Sequence, residues 1–200
     1  MTQYDRDHVP DWLTRSLQSY AFLCGIKWIE ERGERIHERV RQNDLKRFIK
    51  QHLSGRFTVR EDPPYRLIAP SDFPSSLWRG DLAVRRRCGN KGNKAVYRTQ
   101  FLFELKFADA TPAAFNRDLY KLARMRHVKH QRDPDCRSFL VIVGRGAPEE
   151  RFAYSGQPNT LRPVEMPSLR ITHQTRGIYT ATAIGREQRA HYVCLVEVTV

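Results

Sequence analysis

The spacing of apolar positions changes along the chain, and each change marks an element. After Pro10-Asp11, the residues Leu13, Leu17, Tyr20, Ala21, Cys24 and Trp28 recur at helical spacing. Trp12, Phe22, Leu23, Ile26 and Ile29 widen that stripe. The pattern predicts a heavily apolar helix, either packed on the core as an addition or serving as an arm for homodimerisation or DNA contact. Gly33 interrupts it. A second helix is predicted from Glu34 to Leu53, with Ile36, Val40, Leu45, Phe48, Ile49 and Leu53 on its apolar side. Most of its charges form a solvated face. Glu38 differs, because it lies two turns before Leu45 and near the buried stripe, and Glu34 precedes Glu38 by one turn.

Beyond Ser54-Gly55 the period shortens to that of strands. Phe57 and Val59 alternate within Arg56 to Arg60, Asp62-Pro63-Pro64 breaks the run, and Tyr65 to Ala69 reads as extended again. Pro70 to Ser76 is a loop, and Leu77 to Arg86 is the next strand, carrying Asp81. The turn signal Gly89-Asn90-Lys91-Gly92-Asn93 leads into a long apolar strand, Tyr97 to Phe107. Side chains alternate on a strand. Phe101, Phe103, Leu105 and Phe107 therefore share one face, and Gln100, Leu102, Glu104 and Lys106 the other. Charges on so apolar a strand need pairing, hydration or a metal ion.

Thr111-Pro112 is a helix start, with threonine as cap and proline in the first turn. The helix runs to about Val128, with Phe115, Leu119, Leu122 and Ala123 toward the core and Asp118, Lys121 and Met125 on a neighbouring stripe. Arg124, Arg126, His127, Lys129, His130 and Arg132 crowd its end, where cations favour the helix dipole and where phosphates would also be held. Ser138 to Val143 is the continuous apolar run of a buried central strand. Residues 147–168 carry Pro148, Pro158, Pro163 and Pro167 and read as a long loop with room for one helical turn. Two or three strands follow, at Leu169 to Thr172, Ile178 to Ile184 and Tyr192 to Val200. The class is α/β (α+β): a central mixed sheet flanked by helices. Residues 1–33 form a helical extension, 34–146 the core, and 147–200 a loop and strands packed on it as part of a single domain.

Charge narrows the function. A formal +13 and a pI near 10.0 on 200 residues point to a polyanionic partner. Nucleic acid comes first and an anionic membrane surface second. No stretch is apolar enough to span a bilayer. The first apolar patch follows Asp5, Asp7 and Asp11 rather than a basic run, unlike a secretory leader. Cys24, Cys88, Cys136 and Cys194 lack a zinc-binding spacing, so they read as reduced thiols of a cytoplasmic protein. His127, His130 and His173 have no matching ligand spacing. No serine sits in a nucleophile elbow, and no glycine-rich loop precedes a helix as phosphate cradles require.

The order of elements, with Asp81 on one strand, Glu104-Leu105-Lys106 ending the next, and a capped helix and buried strand after it, resembles the PD-(D/E)XK nuclease superfamily. The resemblance covers roughly residues 34–145, over half the chain. Gly80 precedes Asp81 where the family often has proline. Asp44-Leu45-Lys46 has the same spacing but lies in a helical pattern, where i and i+2 diverge. The resemblance implies a restriction-endonuclease-like core and a Mg²⁺-dependent deoxyribonuclease, read as an endonuclease, acting on DNA, with RNA left open. Asp81 and Glu104 would bind Mg²⁺ (or Mn²⁺), with the Leu105 carbonyl as third ligand, because Mg²⁺ needs few protein oxygens. Lys106 would orient the attacking water and stabilise charge on the phosphate. Glu38 would supply a further acid, with Glu34 in reserve. Gln100 and Lys121 would touch the scissile region, and Arg124, Arg126, Lys129 and Arg132 would hold phosphates. Two alternatives stand beside this: a non-catalytic nucleic-acid-binding module of the same fold, and a structural or partner-binding protein.

Overall fold

The computed structural model describes residues 8–30, 37–68, 78–130, 135–154, 157–161, 170–181 and 190–199. Its helices are α1 (Asp11–Glu30), α2 (Glu38–His52), the single turn α3 (Tyr65–Ile68) and α4 (Pro112–His130). Its strands are β1 (Phe57–Glu61), β2 (Leu82–Lys91), β3 (Lys94–Phe107), β4 (Arg137–Arg145), β5 (Asn159–Leu161), β6 (Ile171–Ala181) and β7 (His191–Thr199). They make one seven-stranded mixed sheet in the order β1-β2-β3-β4-β7-β6-β5. β1, β2 and β3 run antiparallel in sequence. α4 then carries the chain across to β4, which lies parallel to β3, the connection a parallel neighbour requires. β7, β6 and β5 complete the sheet with antiparallel pairings.

Alternation along β3 gives the sheet two buried faces. On one, Phe103 and Leu105 join Leu82, Val84, Phe139 and Val141 beneath Leu13, Leu17 and Tyr20 of α1 and Leu45 and Ile49 of α2. Phe101, Phe103 and Phe139 stack in succession on this face. On the other, Ala83, Leu102, Leu140, Ile142 and Cys194 meet Phe115, Leu119 and Leu122 of α4 and Tyr65 of α3. Each such large apolar side chain contributes roughly 1.5–3 kcal/mol on burial. The first face draws on residues of the 1–33, 34–146 and 147–200 segments together, so these segments share a core. α1 is packed on that core, while its Phe22 and Ile26 stay half exposed.

Several boundaries differ from expectation. Tyr65–Ile68 is a helical turn, not an extended run. Pro64 presets the backbone for it, and its carbonyl accepts from the Leu67 amide at 3.0 Å. β2 starts at Leu82 rather than Leu77, leaving Asp81 at its threshold. The hairpin turn narrows to Gly92-Asn93, where Gly92 takes φ 60° and Lys91 faces Lys94. The runs at Leu169 to Thr172 and Ile178 to Ile184 belong, where described, to the single strand β6, because its polar middle is held in the ladder by β7; Leu169 and 182–184 lie outside the described residues. The 147–168 segment holds a 3-10 turn, Glu150–Phe152, and also β5.

Candidate active site

The backbone of Asp81 is held from several sides at once. Its amide donates to the Phe103 carbonyl at 3.1 Å, and its carbonyl accepts from the Asp62 amide at 3.0 Å and from Gln42 Nε2 at 2.6 Å. Its carboxylate Oδ2 accepts from the Leu105 amide at 2.6 Å. The side chain thus stands where a further ladder carbonyl of β2 would be. N–H and C=O of one strand residue face the same neighbour, so the Leu105 carbonyl leaves β3 on the Asp81 side too.

Glu104 is only 3 % exposed. Its Oε1 accepts from the Tyr65 hydroxyl at 2.6 Å and from Lys121 Nζ at 2.9 Å. Lys121 also reaches Asp118 Oδ1 at 3.3 Å, one helical turn back on the same face of α4. Asp118 Oδ2 lies 2.9 Å from Lys106 Nζ, and Lys106 lies 3.9 Å from Glu38 Oε1. The contacts run as one chain of alternating charge: Glu38, Lys106, Asp118, Lys121, Glu104, closed by Tyr65. α4 reaches this position because Thr111 caps it, its Oγ1 accepting from the Ala114 amide at 3.2 Å.

The four carboxylates outnumber the two ammoniums in a largely water-excluded place. Burial, followed by the neighbouring Asp81, pushes Glu104 up to about 8, with Lys121 opposing. Burial pushes Asp81 up to about 6, against the Leu105 hydrogen bond and helped by Glu38. Burial alone would lower both lysines. For Lys106 the contact with Asp118 outweighs it, and for Lys121 the charges of Glu104 and Asp118 do, so both remain firmly protonated. Such opposed shifts within one cluster mark functional sites more often than plain surface pairs.

The carboxylates at the junction are not fully used by their contacts. The contacts fall on one oxygen of each acid, Oε1 of Glu104 and Oδ2 of Asp81, which leaves the second oxygen of each for another ligand. Asp81, Glu104 and the Leu105 carbonyl are the oxygen donors here that could hold a divalent ion. Among the described residues no group of three or more His, Cys, Asp or Glu is placed to hold a metal ion.

The structure brings Asp81, Glu104, Lys106, Glu38 and Lys121 together. Gln100 is not among them. It is the extra residue of a β-bulge, since Val84 pairs with Phe101 while Arg85 pairs with Thr99. The bulge shifts the alternation, and Thr99 takes the face that Gln100 would have held. Lys121 and Asp118, open to reading as a surface pair, are instead buried against the network. Asp44 and Lys46 go to separate structural partners, Lys27 at 2.7 Å and Glu61 at 2.6 Å.

On α4, Arg124 lies over the Trp78 ring and Arg126 donates to the Cys136 carbonyl, so both have structural partners. Lys129 lines a cleft beside the β2–β3 hairpin. Glu34, Arg132 and the His130 side chain lie outside the described residues. His173 is a core residue beside Phe152, its pKa pushed down to about 4 by burial and Arg151. Sequence reasoning missed the roles of Asp118, Tyr65 and Gln42. Asp118 carried one signal, its helical spacing to Lys121. Gly80 proves to matter for Tyr65: a Cβ there would sit 2.9 Å from Tyr65 Cε1, so the ring fills the space that proline would need.

The four cysteines are free thiols, and among the described residues no helix is long and apolar enough to cross a membrane. Fold and site define a mixed α/β protein with a buried acid–lysine network where β2 and β3 meet α4. No protein-family model, curated protein or solved structure matches the chain.

Proposed function

We propose that this protein is a metal-dependent nuclease of the PD-(D/E)XK type, with a restriction-endonuclease-like core, hydrolysing phosphodiester bonds in DNA. The observation that carries the reading is the bond from the Leu105 amide to Asp81 Oδ2. It draws an acid from the preceding strand against Glu104-Leu105-Lys106. The strand order supports it: an antiparallel β1-β2-β3 followed by a helical crossover to a parallel β4. The +13 charge supports a polyanionic substrate.

Asp81, Glu104 and the Leu105 carbonyl would hold Mg²⁺ or Mn²⁺. The ion supplies acidification of water and neutralisation of phosphoryl oxygens. Lys106, anchored by Asp118, presents a protonated ammonium that orients the attacking water and stabilises charge on the phosphate. Tyr65 and Lys121 fix one oxygen of Glu104, which holds its rotamer. Glu38, half exposed at the rim and 3.9 Å from Lys106, would supply a further acid there.

The test is cleavage of supercoiled plasmid, linear duplex and single-stranded DNA with Mg²⁺, Mn²⁺ or chelator, wild type beside Lys106→Ala. Metal-dependent cutting that the substitution abolishes is expected. Tight, salt-sensitive binding with no cutting would instead favour a non-catalytic binding module. The internal pairing of both lysines with carboxylates is the feature that would suit that second reading.

A further inference from the structure

A cleft of about 260 Å³ opens between the β2–β3 hairpin, α3 and the end of α4. Among the described residues, Arg60, Arg85, Arg98 and Lys129 line it together with Tyr97 and Thr99. The Arg85 guanidinium stacks over the Tyr97 ring at 5.2 Å. Arg60 and Arg85 are near enough that the charge of one depresses the other's pKa, after the larger effect of burial. Like charges crowded into a half-buried groove are costly unless an anion offsets them.

The cleft is built on the same elements, β2 and α3, that carry parts of the acid–lysine network. Ala83, in its wall, lies two residues along β2 from Asp81, or roughly 7 Å at strand rise. α3 belongs to both places: Tyr65 reaches Glu104, while Leu67 and Ile68 line the cleft. The bulge at Gln100 is what turns Thr99 and Tyr97 into this groove. A concavity of about 260 Å³ is on the scale of a single splayed base rather than of stacked base pairs. Aromatic rings and arginine planes in a basic groove are how unpaired bases are held.

We propose that this cleft is a nucleotide subsite that receives an unpaired nucleotide flanking the scissile bond, which makes single-stranded or frayed nucleic acid the preferred substrate. The proposal rests on the nuclease reading for the word scissile, while the binding it describes does not. Tyr97 stacks on the base, and Arg60 and Arg85 hold the phosphate.

The experiment measures anisotropy of a fluorescent short oligothymidylate and of a hairpin duplex bound to the full chain in chelator, across a salt series. The double variant Arg60→Gln/Arg85→Gln is expected to weaken single-strand binding by at least about tenfold. It should also flatten the salt dependence by about 0.7 in log–log slope, the contribution of one single-strand phosphate contact. Duplex binding should change less. Arg85→Lys should keep the slope, Tyr97→Phe should keep affinity, and Tyr97→Ala should lose it. Arg15→Gln, on α1, should have no such effect. Unchanged single-strand affinity and slope in the double variant, or an equal loss in Arg15→Gln, overturns the subsite. Metal-dependent cutting by wild type, run in parallel, reports on the nuclease reading separately: cutting with an inert cleft refutes only the subsite, and cleft binding without cutting refutes only the nuclease.

Discussion

The Leu105 amide donates a 2.6 Å hydrogen bond to the Asp81 carboxylate, and Leu105 is the residue between Glu104 and Lys106. One bond therefore closes the end of a strand ladder and sets two acids and a lysine beside one another. It also separates the structural from the chemical role of Asp81. Asp81→Asn keeps an acceptor and loses the charge, whereas Asp81→Ala loses both. At pH 5, Asp81→Ala should be destabilised by about 1–3 kcal/mol, the cost of an unpaired buried amide. Asp81→Asn should unfold close to wild type. Both should lose metal-dependent cutting. Denaturant melts beside plasmid assays check this, and cutting by Asp81→Asn at the wild-type rate would remove Asp81 from the metal site.

The raised carboxyls predict a stability that falls as pH rises. Glu104 titrates near 8 folded against an ordinary 4.5, so the folded state holds the extra proton through that interval and loses stability on ionising. Asp81 acts likewise up to about 6. His173 and His191 are depressed and oppose this below 6.5, while the raised thiols and lysines act only at higher pH. The clean window is therefore pH 6.5 to 8, where Glu104 alone should cost about 2 kcal/mol. Chemical denaturation in chelator should register the fall in wild type and a flat profile in Glu104→Gln. A flat wild-type profile would mean that Glu104 is already ionised in that window.

Metal should reverse that trend. Ligand binding to the folded state raises stability, by about 2.7 kcal/mol at a hundred times Kd, and it competes with protons for carboxylates. Mg²⁺ should raise the melting temperature more at pH 8 than at pH 6, and not at all in Asp81→Asn. An equal rise in that variant would place the ion elsewhere.

Asp118 is a positioning residue in this reading. It touches both ammoniums and stays buried at 2 % exposure. Asp118→Asn should lower the cutting rate about 10–100-fold, with a stability change within about 2 kcal/mol because Lys121 retains Glu104. The alkaline limb of the pH–rate profile should move down as Lys106 loses its anchor. A lowered rate with an unmoved limb would indicate a merely structural role.

Tyr65 and Gly80 should fail together. Tyr65→Phe removes a bond that favours ionised Glu104, so the Glu104 titration should move still higher. Gly80→Ala would press on the Tyr65 ring and should cost about 1–3 kcal/mol along with the same titration shift. NMR titration of the Glu104 carboxyl checks both. An unchanged value in Gly80→Ala would mean that the ring moves aside without releasing Glu104.

Much of the frame was readable from local pattern. Thr111-Pro112 announced α4, the aromatic alternation announced β3, and the apolar run Ser138 to Val143 announced β4, because caps and periodicity are local properties. The same alternation misassigned Gln100. A bulge is decided by pairing with β2, and counting residues along one strand does not reveal it. Asp44 and Lys46 share the site spacing, but the helical pattern already set them apart, and the approach of Lys27 and Glu61 shows which partners they serve.

The sequence by itself determined the main helices and strands, the net positive charge, and the placing of Asp81, Glu104 and Lys106 at the ends of neighbouring strands. Tertiary structure alone decided that Asp118 joins two lysines, that Tyr65 reaches Glu104 past a glycine, and that cations on the hairpin and on α4 share one cleft. The physical reason is one of range. Propensity and periodicity act over a few residues, while burial, charge coupling and cleft shape arise when the crossover helix and the α3 turn are laid across the sheet.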